Sequence, residues 1–350
     1  MTLSGEAGYP YSKIAVVILN WNGKNFLEKF LPQLVKNSNH PDISLWVVDN
    51  GSNDNSVNYI KSNFQSILLI EFSENYGFTG GYNRALQLIP AEYFVVLNSD
   101  VEVTENWILP VIRFMDNNPD VAACQPKIKS YHNKEYFEYA GAAGGFIDRF
   151  GYPFCRGRIL KTIEKDTAQY DKNLDIFWAS GACMIIRSEI FKEVGGFDEE
   201  FFAHMEEIDL CWRIINRGKR IVCYTDSVVY HVGGGALPNN SPRKLYLNYR
   251  NNLFVLYKNL NARELFPVIF QRLMLDGLSA LIYLVSFNFS FFFIVFKAHI
   301  HFYRKITAMH KKRKDKNLNL SGIKEIYNRS MIIDYFVKKR WYFSEMKFNQ

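Results

Sequence analysis

No C-x-x-C pair occurs in this chain. Its five cysteines (Cys124, Cys155, Cys183, Cys211 and Cys223) are odd in number and dispersed. That argues against a zinc knuckle or a disulfide framework and suits a reducing compartment. Neither G-x-G-x-x-G nor G-x-x-x-x-G-K-[ST] follows the first apolar run, which speaks against a dinucleotide-binding fold and a P-loop NTPase. The stretch from Met1 to Lys13 is polar and lacks an apolar h-region, so no secretory signal is visible. Positive charge is scarce in the body. From Lys297 onward 14 Lys+Arg face 4 Asp+Glu, or +10, and the whole chain is +7, which leaves −3 on residues 1–296. The basic excess belongs to the tail, and a body without it is not expected to bind nucleic acid.

The 350 residues, 48% hydrophobic and 16% aromatic, suffice for one large domain or two ordinary ones. Strand and helix signals alternate through the first third. Ile14–Leu19, Leu45–Val48, Ile67–Ile70 and Tyr93–Leu97 are short apolar runs that read as buried strands. Between and after them, Phe26–Val35, Val57–Phe64, Ala85–Ile89 and Trp107–Met115 read as helices. This order predicts an α/β fold with a doubly wound, mostly parallel sheet. From Tyr131 to Tyr170 the rhythm loosens into an expected irregular insertion or lid. Order returns with a strand ending at Arg187, a helix over Glu206–Arg217 closed by Gly218, and short strands at Ile221–Tyr224 and Val228–His231.

Ligands of open α/β sheets bind outside the carboxyl ends of their strands. The four ends here carry Asn20-Trp21-Asn22-Gly23, Asp49-Asn50-Gly51, Asn75–Arg84 and Asn98-Ser99-Asp100-Val101-Glu102. Two carboxylates, Asp100 and Glu102, form a candidate seat for a hard divalent cation carrying a diphosphate. A polar turn with Asp as helix N-cap explains the same residues more plainly. Asp49 can accept from a base or ribose, Trp21 can stack, and Gly77, Gly80 and Gly81 permit close backbone approach, with Arg84 available for phosphate. Each is also an ordinary turn or helix-start residue. Farther on, Glu206 and Glu207 open a helix, where acidic residues are favoured electrostatically in any protein. Read functionally, one of them is a general base; successive helical residues point about 100° apart, so both cannot serve equally. His231, before Gly233-Gly234-Gly235, can complete a metal shell, although a lone histidine is more often structural.

Near Arg263 the character changes. Gly277–Phe296 is 20 residues without a formal charge, and Lys311-Lys312-Arg313-Lys314-Asp315-Lys316 follows it. An apolar segment with a polybasic flank is the pattern of attachment to an anionic membrane surface, and the length sits at the short end for a span. A buried helix of a C-terminal bundle is the alternative.

Taken in order, the motifs resemble the family 2 glycosyltransferases, and among them the rhamnosyltransferase-like bacterial group. The likeness is carried by Val17–Asn22, Val47–Ser52, Asn75–Asn83, Leu97–Glu102, Gly181–Arg187, Gly195–Phe202, Glu206–Leu210 and His231. It covers roughly residues 11–255, with a helical, membrane-associating region from 261 to 350 beyond it. The resemblance implies a GT-A fold, a dTDP-, UDP- or GDP-sugar donor, and inversion by a single displacement. Carried over by position, Asn20, Trp21, Asp49, Gly80, Gly81, Asn83 and Asn98 would serve the nucleotide-sugar. Asp100, Glu102 and His231 would serve Mg²⁺ or Mn²⁺, with Asn98 standing where the family's D-x-D has its first Asp. Glu207, in place of the family's Asp, would be the catalytic base beside Glu206. Trp178, Ser180 and Gly181 would line the path of a cell-surface or lipid-linked glycan acceptor. The implied location is the cytoplasmic face of the membrane. Two other readings stand beside this one: a sugar-phosphate nucleotidyltransferase, and a catalytically degenerate membrane-attached scaffold.

Overall fold

The computed structural model describes residues 8–233, 241–313 and 317–348. Residues 1–7, Gly234, Gly235 and Lys314-Asp315-Lys316 lie outside the described residues.

Strand β1 (Ser12–Asn20) is followed by α1 (Lys24–Asn37), β2 (Ile43–Asn50), α2 (Ser56–Asn63), β3 (Leu68–Phe72), α3 (Gly77–Leu88) and β4 (Ala91–Leu97). The apolar runs form strands because both faces of the sheet are covered: Ile14 through Val17 and Tyr93 through Val96 are fully buried. β1 pairs in parallel with β2 and β4, in a register that sets Asn20 opposite Asp49 and Ile18 opposite Leu97. The polar residues that end these strands therefore emerge on one edge.

Next come β5 (Val101–Val103), α4 (Leu109–Asp116) and β6 (Val121–Ser130). The expected irregular segment instead holds short strands β7 (Gly145–Asp148), β8 (Pro153–Cys155), β9 (Arg158–Ile159) and β10 (Thr162–Ile163). Runs of two to four residues are too short for period-two patterning to register in the sequence. After β11 (Leu174–Asp175) and β12 (Cys183–Arg187), helices α5 (Ser188–Glu193) and α6 (Glu206–Ile215) lead to β13 (Arg220–His231). β13 merges the two short strands expected at 221–224 and 228–231, with a register irregularity between Tyr224 and Val228.

The main sheet has the order β11-β13-β6-β12-β4-β1-β2-β3, with β5 also on β13. β1, β2, β3, β4, β6 and β13 run parallel, while β5, β11 and β12 run against them. The sheet is mostly parallel, as expected. Because β12 reverses between β4 and β6, the carboxyl ends of β4 and β13 stay on the same edge, and β5 pairs His231 with Val101.

The C-terminal part contains α7 (Pro242–Asn259), α8 (Ala262–Val285), α9 (Phe289–Lys312), β14 (Ile326–Tyr327) and α10 (Met331–Phe336). β14 completes a second sheet, β10-β9-β8-β7-β14. Its core stacks Phe146 and Phe154 against Tyr327, Phe343 and Phe348, with ring centroids 5.1–6.3 Å apart. The uncharged run Gly277–Phe296 is not one helix. It breaks at Phe287, whose φ is 57°, and restarts where Asn288 Oδ1 accepts from the Phe291 amide at 3.3 Å. A cap within reach of a positive-φ turn makes a hairpin of α8 and α9. α8 by itself, at a mean hydropathy of 1.6, is long and apolar enough to cross a membrane.

Candidate active site

At the edge where the strands end, the loops after β1 and β2 are sewn together. Asn20 donates from Nδ2 to Asp49 Oδ1 (3.1 Å), Ser52 Oγ (3.2 Å) and Ser56 Oγ (2.9 Å). Asp49 Oδ2 accepts from the Ser52 amide at 2.9 Å. Both side chains are almost wholly buried, yet Asn20 Oδ1 has no partner. Trp21, by contrast, is 57% exposed at the rim. A Cβ on Gly23 would lie 2.5 Å from Asn20 Oδ1 and 3.5 Å from Ser99 Oγ, so the ends of β1 and β4 meet at this point. Asn98 lies beside Ser99, half-buried, its amide bonded to the Ala182 carbonyl.

Two residues along, β5 and β13 bring Asp100 and His231 together. His231 Nε2 is 3.2 Å from Asp100 Oδ1, and both side chains are buried. Nδ1 faces Glu138 Oε1 at 3.5 Å, too far for a good hydrogen bond. Burial alone would lower the imidazole's pKa, but the two carboxylates outweigh it and push it up to about 10. A hard oxygen and an imidazole nitrogen converging on one cation are what Mn²⁺ or Mg²⁺ needs, and a diphosphate can supply the remaining oxygens. The donor set fits a divalent metal. Among the described residues no larger His/Cys/Asp/Glu cluster suited to a metal occurs.

The third component is the segment before α6. Phe202, His204 and Met205 all have positive φ (66°, 67° and 72°). Each such residue stores on the order of 1–3 kcal/mol of strain, which must be held by its surroundings. Helix α7 holds it: Asn251 Nδ2 donates to the carbonyls of Phe201 (3.1 Å), Ala203 (2.9 Å) and His204 (2.7 Å), and Arg250 Nη2 to those of Glu200 and Phe201. The segment delivers Glu206 and Glu207 to the helix start with one unpartnered buried oxygen each. Burial raises the Glu207 carboxyl to about 7; burial and the neighbouring Glu207 charge raise Glu206 well above its usual range. Glu207 is the more accessible of the two. His204 is held neutral, its pKa lowered to about 4 by burial and by the Lys244 charge, and its Nε2 has no partner. Lys244 also feels the Glu138 charge, and the Phe202 carbonyl accepts from the Phe78 amide at 3.2 Å, which sets this segment beside the start of α3 at the carboxyl edge of the sheet.

Of eight buried side-chain N or O atoms without a partner among the described residues, five belong to Asn20, His204, Glu206, Glu207 and His231. Buried polar atoms are normally satisfied, so their concentration at one edge marks where a polar ligand belongs. His204 lies in the acidic cluster visible in the sequence, but Glu138 comes from the irregular segment and carried no signal.

Other expected residues are placed elsewhere. Gly81 packs α3 against β1, where a Cβ would lie 2.8 Å from the Leu19 methyls, and Gly80 lies against Arg84 and Tyr76. Asn83 ties α3 to Phe197 through both amide atoms (2.8 and 2.9 Å). Arg84 pairs with Glu199 at 3.2 Å and stacks on Tyr76. Trp178 is buried, with its indole N–H on the Phe146 carbonyl at 2.9 Å, and forms core instead of an acceptor path. Ser180 is buried as well, its hydroxyl donating to the Ala140 carbonyl at 2.7 Å, while Gly181 lies against the Phe78 ring. Glu102 pairs with Lys134 and lines a groove with Lys29 and Gln33.

The sequence profile described as "Glycosyl transferase family 2" matches residues 15–195. That is more than half of the chain. It belongs to this family. The nucleotidyltransferase reading is thereby set aside. This family 2 glycosyltransferase is 24% identical over 232 residues to the N-acetylglucosaminyl-diphospho-decaprenol L-rhamnosyltransferase of Mycobacterium tuberculosis (strain CDC 1551 / Oshkosh), covering 62% of this chain and 75% of that one. It is 23% identical over 230 residues to rhamnosyltransferase WbbL of Escherichia coli (strain K12), covering 59% and 79%. Its fold is that of GalNAc-T7, solved with UDP, GalNAc and Mn²⁺, at a TM-score of 0.57 and 17% identity. The match covers 74% of this chain but only about half, 51%, of that one. Glu206, Glu207 and His231 lie beyond the stretch matched by the profile, so their placement rests on the geometry above.

Proposed function

We propose that this glycosyltransferase transfers a sugar with inversion from a nucleotide-sugar to a hydroxyl of a lipid-linked or cell-surface glycan, at the cytoplasmic face of the membrane. The observation that carries the reading is that five of the eight unpartnered buried polar atoms among the described residues belong to Asn20, His204, Glu206, Glu207 and His231, on segments that meet the carboxyl edge of the sheet, where His231 also faces Asp100. Asp49 and Asn20, with Trp21 at the rim, hold the base and ribose of the donor. Asp100 and His231 would hold a divalent cation, which when bound would supply positive charge to the leaving diphosphate. Glu207 Oε2 takes the proton from the acceptor hydroxyl as its oxygen attacks the anomeric carbon. The bond from that carbon to the diphosphate oxygen breaks on the opposite face, which inverts the centre, and the proton ends on Glu207. Glu206 shares the buried environment, and its own carboxyl is pushed up by burial and by the Glu207 charge.

The names of the two bacterial relatives favour L-rhamnose, hence dTDP-rhamnose, as donor. The test is a thermal-shift screen of dTDP-, UDP- and GDP-sugars with Mn²⁺, followed by transfer assays, since a ligand of the native state raises its melting temperature. Asp100→Asn is expected to lose the Mn²⁺-dependent part of the shift. Glu207→Gln is expected to keep nucleotide binding and lose transfer by about a hundredfold or more. Undiminished transfer by Glu207→Gln would remove it as the base; no binding and no transfer across the panel would leave the scaffold reading in its place.

A further inference from the structure

The α8–α9 hairpin carries an apolar face that nothing in the fold covers. Phe266, Phe270, Met274 and Leu278 recur every fourth residue along α8, and Phe289 and Phe293 continue the face on α9, each more than half exposed. Phe287, at the tip, is 81% exposed. So many large side chains in one stripe exceed what single-chain surfaces normally leave to water.

The opposite side of the hairpin is fastened to the body. Arg272 Nε donates to Asp276 Oδ1 at 2.8 Å, His299 Nε2 lies 3.1 Å from Asp276 Oδ2, and Arg272 reaches the Phe150 carbonyl at 3.3 Å. A crossing of the bilayer by α8 would pull this buried charge network off the body and into hydrocarbon, at a cost of several kcal/mol. Folding halves the reach of the uncharged run. Its arms, Gly277–Val285 and Phe289–Phe296, are about 13 Å long at ~1.5 Å per residue. That matches one leaflet of a hydrocarbon core ~30 Å thick.

At the root of the hairpin a groove runs from the segment carrying the base to α9. It is lined by Phe202, Arg243, Tyr246, Leu247, Ile294 and Lys297. The Arg243 guanidinium sits 4.9 Å from the Phe202 ring and the Lys297 ammonium 5.6 Å from that of Tyr246. Neither cation is ion-paired to a carboxylate among the described residues. Lys297 also begins the tail segment of charge +10. An apolar tip followed by a cationic groove complements a lipid, with the chain below and the phosphate above.

We propose that the hairpin inserts Gly277–Phe296 into one leaflet of an anionic bilayer without crossing it, and that the groove at its root binds the phosphate of a lipid held in that leaflet. The site deepens the reading of a lipid-linked acceptor and rests on it only for the identity of that lipid. The face is thereby assigned to lipid and not to a second copy of the chain.

The full-length protein should float with phosphatidylcholine vesicles containing phosphatidylglycerol, and less with phosphatidylcholine alone. The triple variant Phe270→Asp/Met274→Asp/Phe293→Asp, and separately Phe287→Asp, should stay in solution with an unchanged circular-dichroism melt and unchanged nucleotide-sugar hydrolysis. All five native cysteines are buried, so Phe287→Cys can report depth: a membrane-impermeant maleimide trapped inside the vesicles should not label it. In EDTA, farnesyl diphosphate should bind more tightly than inorganic diphosphate, and Arg243→Ala/Lys297→Ala should weaken it about tenfold, or ~1.4 kcal/mol. Absence of flotation, a soluble dimer that the Asp variants split into monomers, labelling from the vesicle interior, or unchanged farnesyl diphosphate affinity would each overturn the proposal. Loss of donor hydrolysis in wild-type protein that still floats would instead count against the proposed reaction.

Discussion

Glu207 and its neighbour tie catalysis to stability through the same cause. Burial raises the Glu207 carboxyl from its usual 4.5 to about 7. Folded protein therefore holds a proton between those values that the unfolded chain releases. The contribution to stability is fully present below pH 4.5 and is lost as pH rises through about 7. An amide cannot ionise, so Glu207→Gln should be more stable than wild type at pH 8, on the order of 2 kcal/mol, and no more stable at pH 4. Urea midpoints at the two pH values check this; equal differences at both would mean the carboxyl is not held protonated. The same elevation sets the rate. A base must be ionised to work, so kcat/KM should rise with pH along a limb near 7, and that limb should disappear in the residual activity of Glu207→Gln.

At the scale of elements, the positive-φ segment and α7 form a strained part and its clamp. Asn251 spends one amide group on three backbone carbonyls, that of His204 among them, and reaches none of the unpartnered side-chain atoms, so it is a positioning residue. Asn251→Ala should lower kcat at least tenfold while leaving nucleotide affinity within about twofold, because Asp49 and Asn20 are anchored separately. Asn251→Asp, which keeps the shape but replaces the donor with an acceptor, should not restore it. A defect in KM for the donor alone would contradict this division. Beside it, Lys258 is buried between Asp198 (2.6 Å) and Asp209 (2.8 Å), and Arg213 completes the network at 2.9 Å. Removing one partner of a buried pair costs about 3–5 kcal/mol, so Lys258→Ala should lower the urea midpoint far more than Asn251→Ala does. The Asp209–Arg213 pair was legible in the sequence from its four-residue spacing, as were β1 to β4 from their apolar runs. The clamp was not, because α7 lies some fifty residues downstream of the carbonyls it binds. The packing of Gly81 on Leu19 was hidden for a related reason: a glycine that admits a ligand and one that admits a neighbouring strand look alike until the neighbour is placed.

At the scale of the molecule, the chain leaves the main body at α8 and returns to it. β14 adds a parallel strand to β7, and Tyr327, Phe343 and Phe348 cover Phe146 and Phe154. Asp148 binds the Met331 amide at 3.0 Å across this junction. The hairpin is thus a loop thrown out from a closed structure and fixed at both ends, which would let the proposed lipid-facing surface keep a set distance from Glu207. α9 strengthens the tie: Lys305 pairs with Glu200 at 3.1 Å and Lys312 with Asp198 at 2.5 Å, on the segment leading to Glu206. The lysines of both pairs are about 40% exposed, and the buried Asp198 keeps Lys258 as a partner, so each pair contributes about 0–1 kcal/mol, whereas burying one large aromatic side chain contributes roughly 1.5–3 kcal/mol. The returning segment, not the ion pairs, should therefore carry the stability of this junction. Ending the chain after residue 316 should uncover Phe146 and Phe154 and lower the urea midpoint by the equivalent of several kcal/mol, while Lys305→Ala/Lys312→Ala should shift it by less than ~2 kcal/mol. The reverse order of effects would place the anchor of the hairpin in its charges and not in the second sheet.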